Sequence, residues 1–131
     1  MIVKRLWPSI IWAVTILLLT GVPGNYFPEV VSFWDWLSPD KVVHVFIFAV
    51  QAFLLLFGLR IQFLGGRKRS LYMWIIFIST VLFAMLTEVL QTYVFIGRHG
   101  NVFDFLADFV GVLVGFLAYY LLKFKKKGVS N

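Results

Sequence analysis

Four long apolar runs divide the chain, at about residues 6–22, 42–64, 71–96 and 102–122. Each carries only isolated polar residues and is bounded by turn or charge signals. That is the pattern of helices of membrane length, since a span takes roughly 20 apolar residues. Lys4 and Arg5 precede the first run, and Pro8 lies near its start, where its missing N–H does little harm. A charged start and an apolar middle also describe a secretory signal. The run ends in Gly21-Val22-Pro23-Gly24, without an A-x-A-like cleavage site, and so reads as a retained first transmembrane helix. Ser38 is a good N-cap for the second helix, with Pro39 as its first helical residue, and Asn101 caps the fourth. Between the first two helices, Tyr26, Phe27, Phe33, Trp34 and Trp36 suit a membrane–water interface, and residues 28–37 read as a short interfacial helix. The expected fold is all-α: a four-helix transmembrane bundle forming a single domain over residues 1–131.

The polar positions inside the runs are not scattered. Residues three or four apart share a helix face. Asp104, Asp108, Gly111 and Gly115 form one stripe on the fourth helix, and Glu88 and Gln91 form one on the third. Asp40, His44, Gln51 and Gly58 share a face of the second. The Gly97-Arg98-His99-Gly100-Asn101 turn is short, so the end of helix three lies close to the start of helix four. The start of helix two falls in the same leaflet. The predicted site is therefore Asp40, Lys41, His44, Glu88, Gln91, Arg98, Asp104 and Asp108, gathered at one end of the bundle.

Composition sharpens this picture. The chain is 61% hydrophobic and 14% charged, against about a quarter charged in soluble domains. The bilayer is thus the expected solvent. The net charge is +6, but the basic residues sit in short flanks: Lys4-Arg5, Arg60 with Arg67-Lys68-Arg69, and the tail Lys123 to Lys127. Such flanks are topology signals, not a nucleic-acid surface. They place both termini in the cytoplasm and the polar cluster outside. Without cysteine there is no disulfide, thiolate metal site or thiol catalysis.

Each site residue has a plainer reading beside the functional one. Asp40 and Asp104 fall in first helical turns, where a carboxylate complements the helix dipole. Lys41 and Arg98 can anchor helix ends by snorkelling. Glu88 and Asp108 lie about two turns inside their helices, too deep for capping. Their plainer reading is a buried network that fixes helix register. Gln51 reads as an interhelical hydrogen bond, and Gly111 with Gly115 as a face for close helix packing. His44, Glu88 and Asp108 are the candidates for acid–base chemistry. His44, Glu88, Asp104 and Asp108 could hold a hard cation, which takes oxygen ligands. However, no HExxH-like motif supports a metal, Lys41 and Arg98 would oppose one, and no metal or cofactor is expected. A Ser–His–Asp triad lacks a serine, because Ser38 reads as a cap.

The sequence resembles the VanZ-like family of small bacterial membrane proteins. The resemblance rests on Asp40-Lys41-x-x-His44, Glu88-x-x-Gln91, Arg98, and Asp104-x-x-x-Asp108-x-x-Gly111-x-x-x-Gly115, in the family's order. Two departures stand out. Asp108 occupies a position that is often asparagine in the family. The interval Thr92 to Gly97 lacks a proline often found there. The resemblance implies a multi-pass protein of the bacterial cytoplasmic (inner) membrane with an envelope-related role. The family takes its name from a protein associated with low-level resistance to the glycopeptide antibiotic teicoplanin. No reaction follows from it.

Together these readings lead to a protein that binds or acts on an envelope lipid or glycolipid at the outer leaflet. Lys41 and Arg98 engage an anionic head group, Asp104 positions Arg98, and His44, Glu88 and Asp108 orient the ligand or handle protons. The partners are then membrane lipids or a lipid-linked envelope precursor, with no nucleic acid; a homo-oligomer stays open. Two alternatives remain: a membrane-embedded hydrolase or transferase using carboxylate acid–base chemistry, and a non-catalytic structural or adaptor protein. A transporter has only Gln51, near mid-membrane, in its favour.

Overall fold

The structure is a computed structural model, and it describes residues 3–22, 39–64, 68–95 and 102–128. Four helices make up the described chain: α1 (Val3–Thr20), α2 (Pro39–Leu64), α3 (Arg69–Tyr93) and α4 (Val102–Gly128). The stretches Pro39–Arg60, Arg69–Tyr93 and Val102–Lys123 are long and apolar enough to cross a membrane. The aromatic loop, the caps Ser38 and Asn101 and the turn carrying Arg98 lie outside the described residues.

Helix boundaries differ from the apolar runs by a few residues at several ends, three of which bear on the local structure. α1 begins at Val3, so Pro8 lies inside it and not in its first turn. The chain leaves α3 after Tyr93, where the N–H groups of Val94 and Phe95 both reach the carbonyl of Leu90, at 2.9 and 3.0 Å. α4 continues past residue 122 to Gly128. Lysine is a good helix former, so loss of hydropathy after Leu122 does not end the helix.

α2 is the central helix and packs on all three others; its most extensive partner is α4. The two run parallel, since Gly111 faces Val45 and Gly115, one turn on, faces Ala49. A Cβ at either glycine would run into the α2 backbone carbonyl opposite it. Small residues at this spacing are how helices in lipid approach closely, because packing must supply what the hydrophobic effect does not. α3 is antiparallel to both, with Phe48 against Phe83 and Phe77 against Phe109 and Phe116. Apolar side chains fill much of the space between the helices, among them Ile16, Phe48, Ala52, Leu56, Ile76, Ala84 and Val112. The outward faces are also apolar: Phe46, Trp74, Leu82, Met85, Leu113 and Leu117 are exposed. A chain apolar both inside and outside has lipid as its solvent.

α1 covers the remaining side of α2. Trp12 Nε1 donates to the carbonyl of Ile47 at 2.8 Å, and Gln51 Nε2 donates to Ser9 Oγ at 2.9 Å. The interhelical hydrogen bond expected of Gln51 is thus made, to α1. Replacing Trp12 with phenylalanine keeps the ring but removes this donor. Thermal melting in detergent should show a loss of about 1 kcal/mol, with α2, α3 and α4 still packed together.

This arrangement sorts charge by end. The helix ends carrying Lys4, Arg5, Arg60, Lys68, Arg69 and Lys123 lie together. Asp40, Glu88, Asp104 and Asp108 lie at the other, and Lys41 is the one lysine or arginine there among the described residues.

Candidate functional site

Three helix segments build the acidic end: the first turns of α2, the last turns of α3 and the first turns of α4. Parallel packing sets Asp40 and His44 beside Asp104 and Asp108. Antiparallel packing brings Glu88 from α3 to the same level. The result has two layers.

The outer layer holds Asp40, Lys41 and Asp104, all in or next to first helical turns. Lys41 Nζ lies 3.7 Å from Asp104 Oδ1, linking α2 to α4. The Asp40 side chain is 43% exposed. Its Oδ1 stands 4.0 Å from His44 Nε2, one helical turn away.

The inner layer holds His44, Glu88 and Asp108. His44 Nδ1 hydrogen-bonds Asp108 Oδ1 at 2.8 Å. Glu88 Oε1 lies 3.9 Å from the same nitrogen. A carboxylate acceptor at Nδ1 fixes the proton on that nitrogen and turns Nε2 toward Asp40 and the outer layer. Asp108 is completely buried, and its second oxygen, Oδ2, has no hydrogen-bond partner among the described residues. Ionisable groups held among apolar helices at such depth are costly and commonly mark a site.

The structure therefore brings together Asp40, Lys41, His44, Glu88, Asp104 and Asp108. Gln91 is buried on the same face of α3 as Glu88. Arg98 lies outside the described residues; the cation seen beside Asp104 is Lys41. Gln51 and Gly58 leave the cluster even though they share a face with His44 by angular count. Gln51 turns to Ser9, and Gly58 admits the α1 backbone at Arg5. A straight stripe on a central helix meets different neighbours at different heights. Thr87, completely buried next to Glu88, was not singled out by its sequence pattern; its hydroxyl bonds to the carbonyl of Ala84 at 2.7 Å. A threonine can satisfy itself within its own helix, so its type alone gives no signal.

Fold and site define an all-helical membrane protein with a histidine–carboxylate cluster buried at one end of a parallel helix pair. The chain belongs to the VanZ/LLP1 family, which it matches over residues 6–123. Neither the curated proteins nor the solved structures include a match to it.

Proposed function

We propose that this protein is a multi-pass protein of the bacterial cytoplasmic membrane, with both termini inside, that binds or acts on the head group of an envelope lipid or glycolipid. The basic end faces the cytoplasm, as positive residues flanking spans do. The acidic end then opens toward the outer leaflet. Two parallel helices begin there, so their amide dipoles favour negative charge at that surface. Lys41, partly exposed beside Asp104, supplies a donor to a phosphate or carboxylate, with Arg98 from the adjoining turn. His44, held by Asp108, orients the polar group below them.

The observation carrying this reading is the completely buried Asp108, whose Oδ2 has no hydrogen-bond partner among the described residues. A network that served only to lock helix register would be expected to satisfy its deepest carboxylate, because an unpaired buried acceptor costs about 1–3 kcal/mol. A polar group reaching in from a ligand supplies the missing partner. In this reading the family's association with teicoplanin resistance arises through the lipid that is bound.

The test is the lipid that accompanies the purified protein. Native mass spectrometry of the wild type should show a retained envelope lipid. Lys41→Ala should weaken its affinity by roughly tenfold or more, equivalent to losing one charged hydrogen bond of about 1.5 kcal/mol. At equal membrane levels, Glu88→Gln should also cancel any change in teicoplanin susceptibility conferred by the wild type. Equal lipid retention in Lys41→Ala and the wild type would reject the head-group role.

A second reading, a hydrolase or transferase, draws on the His44–Asp108 pair. An imidazole held at Nδ1 by a carboxylate, with Nε2 turned to the outer layer 4.0 Å from Asp40 Oδ1, is an arrangement that suits a general base. It predicts turnover of a lipid-linked substrate by purified protein, lost in His44→Gln.

A further inference from the structure

The inner layer has a second chemical capability, for which the sequence offers ligand types but no motif. His44 Nδ1, a carboxylate oxygen of Glu88 and one of Asp108 all lie within 4.8 Å of one another, each from a different helix. Two of these separations are 2.8 and 3.9 Å. A tetrahedral ion with bonds near 2.0–2.1 Å holds its ligands about 3.4 Å apart, so the observed spacings straddle the required one. We propose that His44, Glu88 and Asp108 form a binding site for a divalent transition-metal ion, of which zinc is the first to test.

Three features support a cation there. The first is Asp108 Oδ2, buried and with no hydrogen-bond partner among the described residues. The second is charge. Asp40, Glu88, Asp104 and Asp108 lie at one end of the bundle, where Lys41 is the one lysine or arginine among the described residues. Lys41 faces Asp104, and a protonated His44 would carry one positive charge between the carboxylates of Glu88 and Asp108. The third is the far side of the ring. Metal-bound histidines commonly present their other nitrogen to a carboxylate that sets their orientation, and Asp40 Oδ1 stands 4.0 Å from His44 Nε2.

Asp40, His44 and Asp104 form a second trio of similar size. It is the weaker candidate, because Asp104 Oδ1 faces Lys41 at 3.7 Å and a cation there would meet that ammonium. In the deeper trio Lys41 is held away by the same contact. One nitrogen and two oxygen donors suit zinc or manganese. Three protein ligands leave a position open for water or for an oxygen of a bound head group.

Full-length protein in lipid nanodiscs, stripped with a chelator, is titrated with Zn2+ by calorimetry and with Co2+ by visible spectroscopy. One ion per chain is expected, with a rise in Tm on binding. Glu88→Gln and Asp108→Asn should each weaken binding by more than the roughly 10–100-fold that loss of an outer partner causes. Asp104→Asn, which removes no ligand of this trio, should weaken binding less than either. If Asp108→Asn does not fold, Glu88→Gln decides. The proposal is overturned if folded wild type shows no saturable binding, or if Glu88→Gln binds normally. It is also overturned if Asp104→Asn alone abolishes binding, which would move the ion to the outer trio. Absence of metal binding with head-group retention intact would remove the metal and leave the lipid reading standing.

Discussion

Replacing Gly111 with leucine should leave almost no folded protein in the membrane, the largest structural effect expected of any single substitution here. Its cause is the parallel contact between α2 and α4. An added Cβ at Gly111 meets the carbonyl of Val45 and lies 3.1 Å from Phe48 Cβ. Neither is the free end of a flexible side chain, so the helices must separate. Separation would break the His44–Asp108 hydrogen bond, made at 2.8 Å across the same seam. Overpacking typically costs about 1–3 kcal/mol; against backbone, and with the polar pair lost as well, the effect of leucine should exceed that range. Alanine at Gly111 or Gly115 should give a smaller loss in the same direction. Gly21 is the control: there an added Cβ meets a Phe95 ring atom at 3.3 Å, and a ring can turn aside. Fluorescence-detected size exclusion and thermal melting in detergent would rank the variants. Wild-type behaviour of Gly111→Leu would mean that α2 and α4 do not pack through this seam.

The second large effect concerns Asp108 and separates structure from function. Asp108→Leu removes the partner of a buried histidine, and breaking a buried pair from one side costs about 3–5 kcal/mol. Changing both partners, His44→Phe with Asp108→Leu, replaces the pair with apolar contacts. Such replacement is often neutral or stabilising. The double variant should therefore recover most of the lost Tm, and the double-mutant cycle should show a coupling at or above the upper end of the usual range of about 0.5–3 kcal/mol. It should retain no envelope lipid despite being folded. If the stable double variant kept its lipid, the cluster would be a register lock and the structural reading would replace the binding one.

These expectations draw on different amounts of sequence information. The stripe Asp104, Asp108, Gly111, Gly115 was fully legible, because a helix converts spacing into direction without further input. Its polar half meets His44 and its small half meets Val45 and Ala49, as one continuous seam. The family resemblance was legible too, from the order of Asp40-Lys41-x-x-His44, Glu88-x-x-Gln91 and the fourth-helix stripe. Partner choice was less so. Lys41 beside Asp104 and Gln51 bonded to Ser9 depend on which helix lies opposite at each height. Neither spacing nor residue type carries that.

Sequence alone determined that this chain is all-helical and belongs in a membrane, and which face of each helix carries its polar groups. Hydropathy and the 100° step are properties of the chain itself. Only the tertiary structure decided that α2 and α4 run parallel and that Asp108 holds His44. It also decided that Glu88 completes an inner layer while Gln51 is turned away to α1. Those outcomes follow from how closely two backbones can approach, and that is settled by the packing of all four helices together.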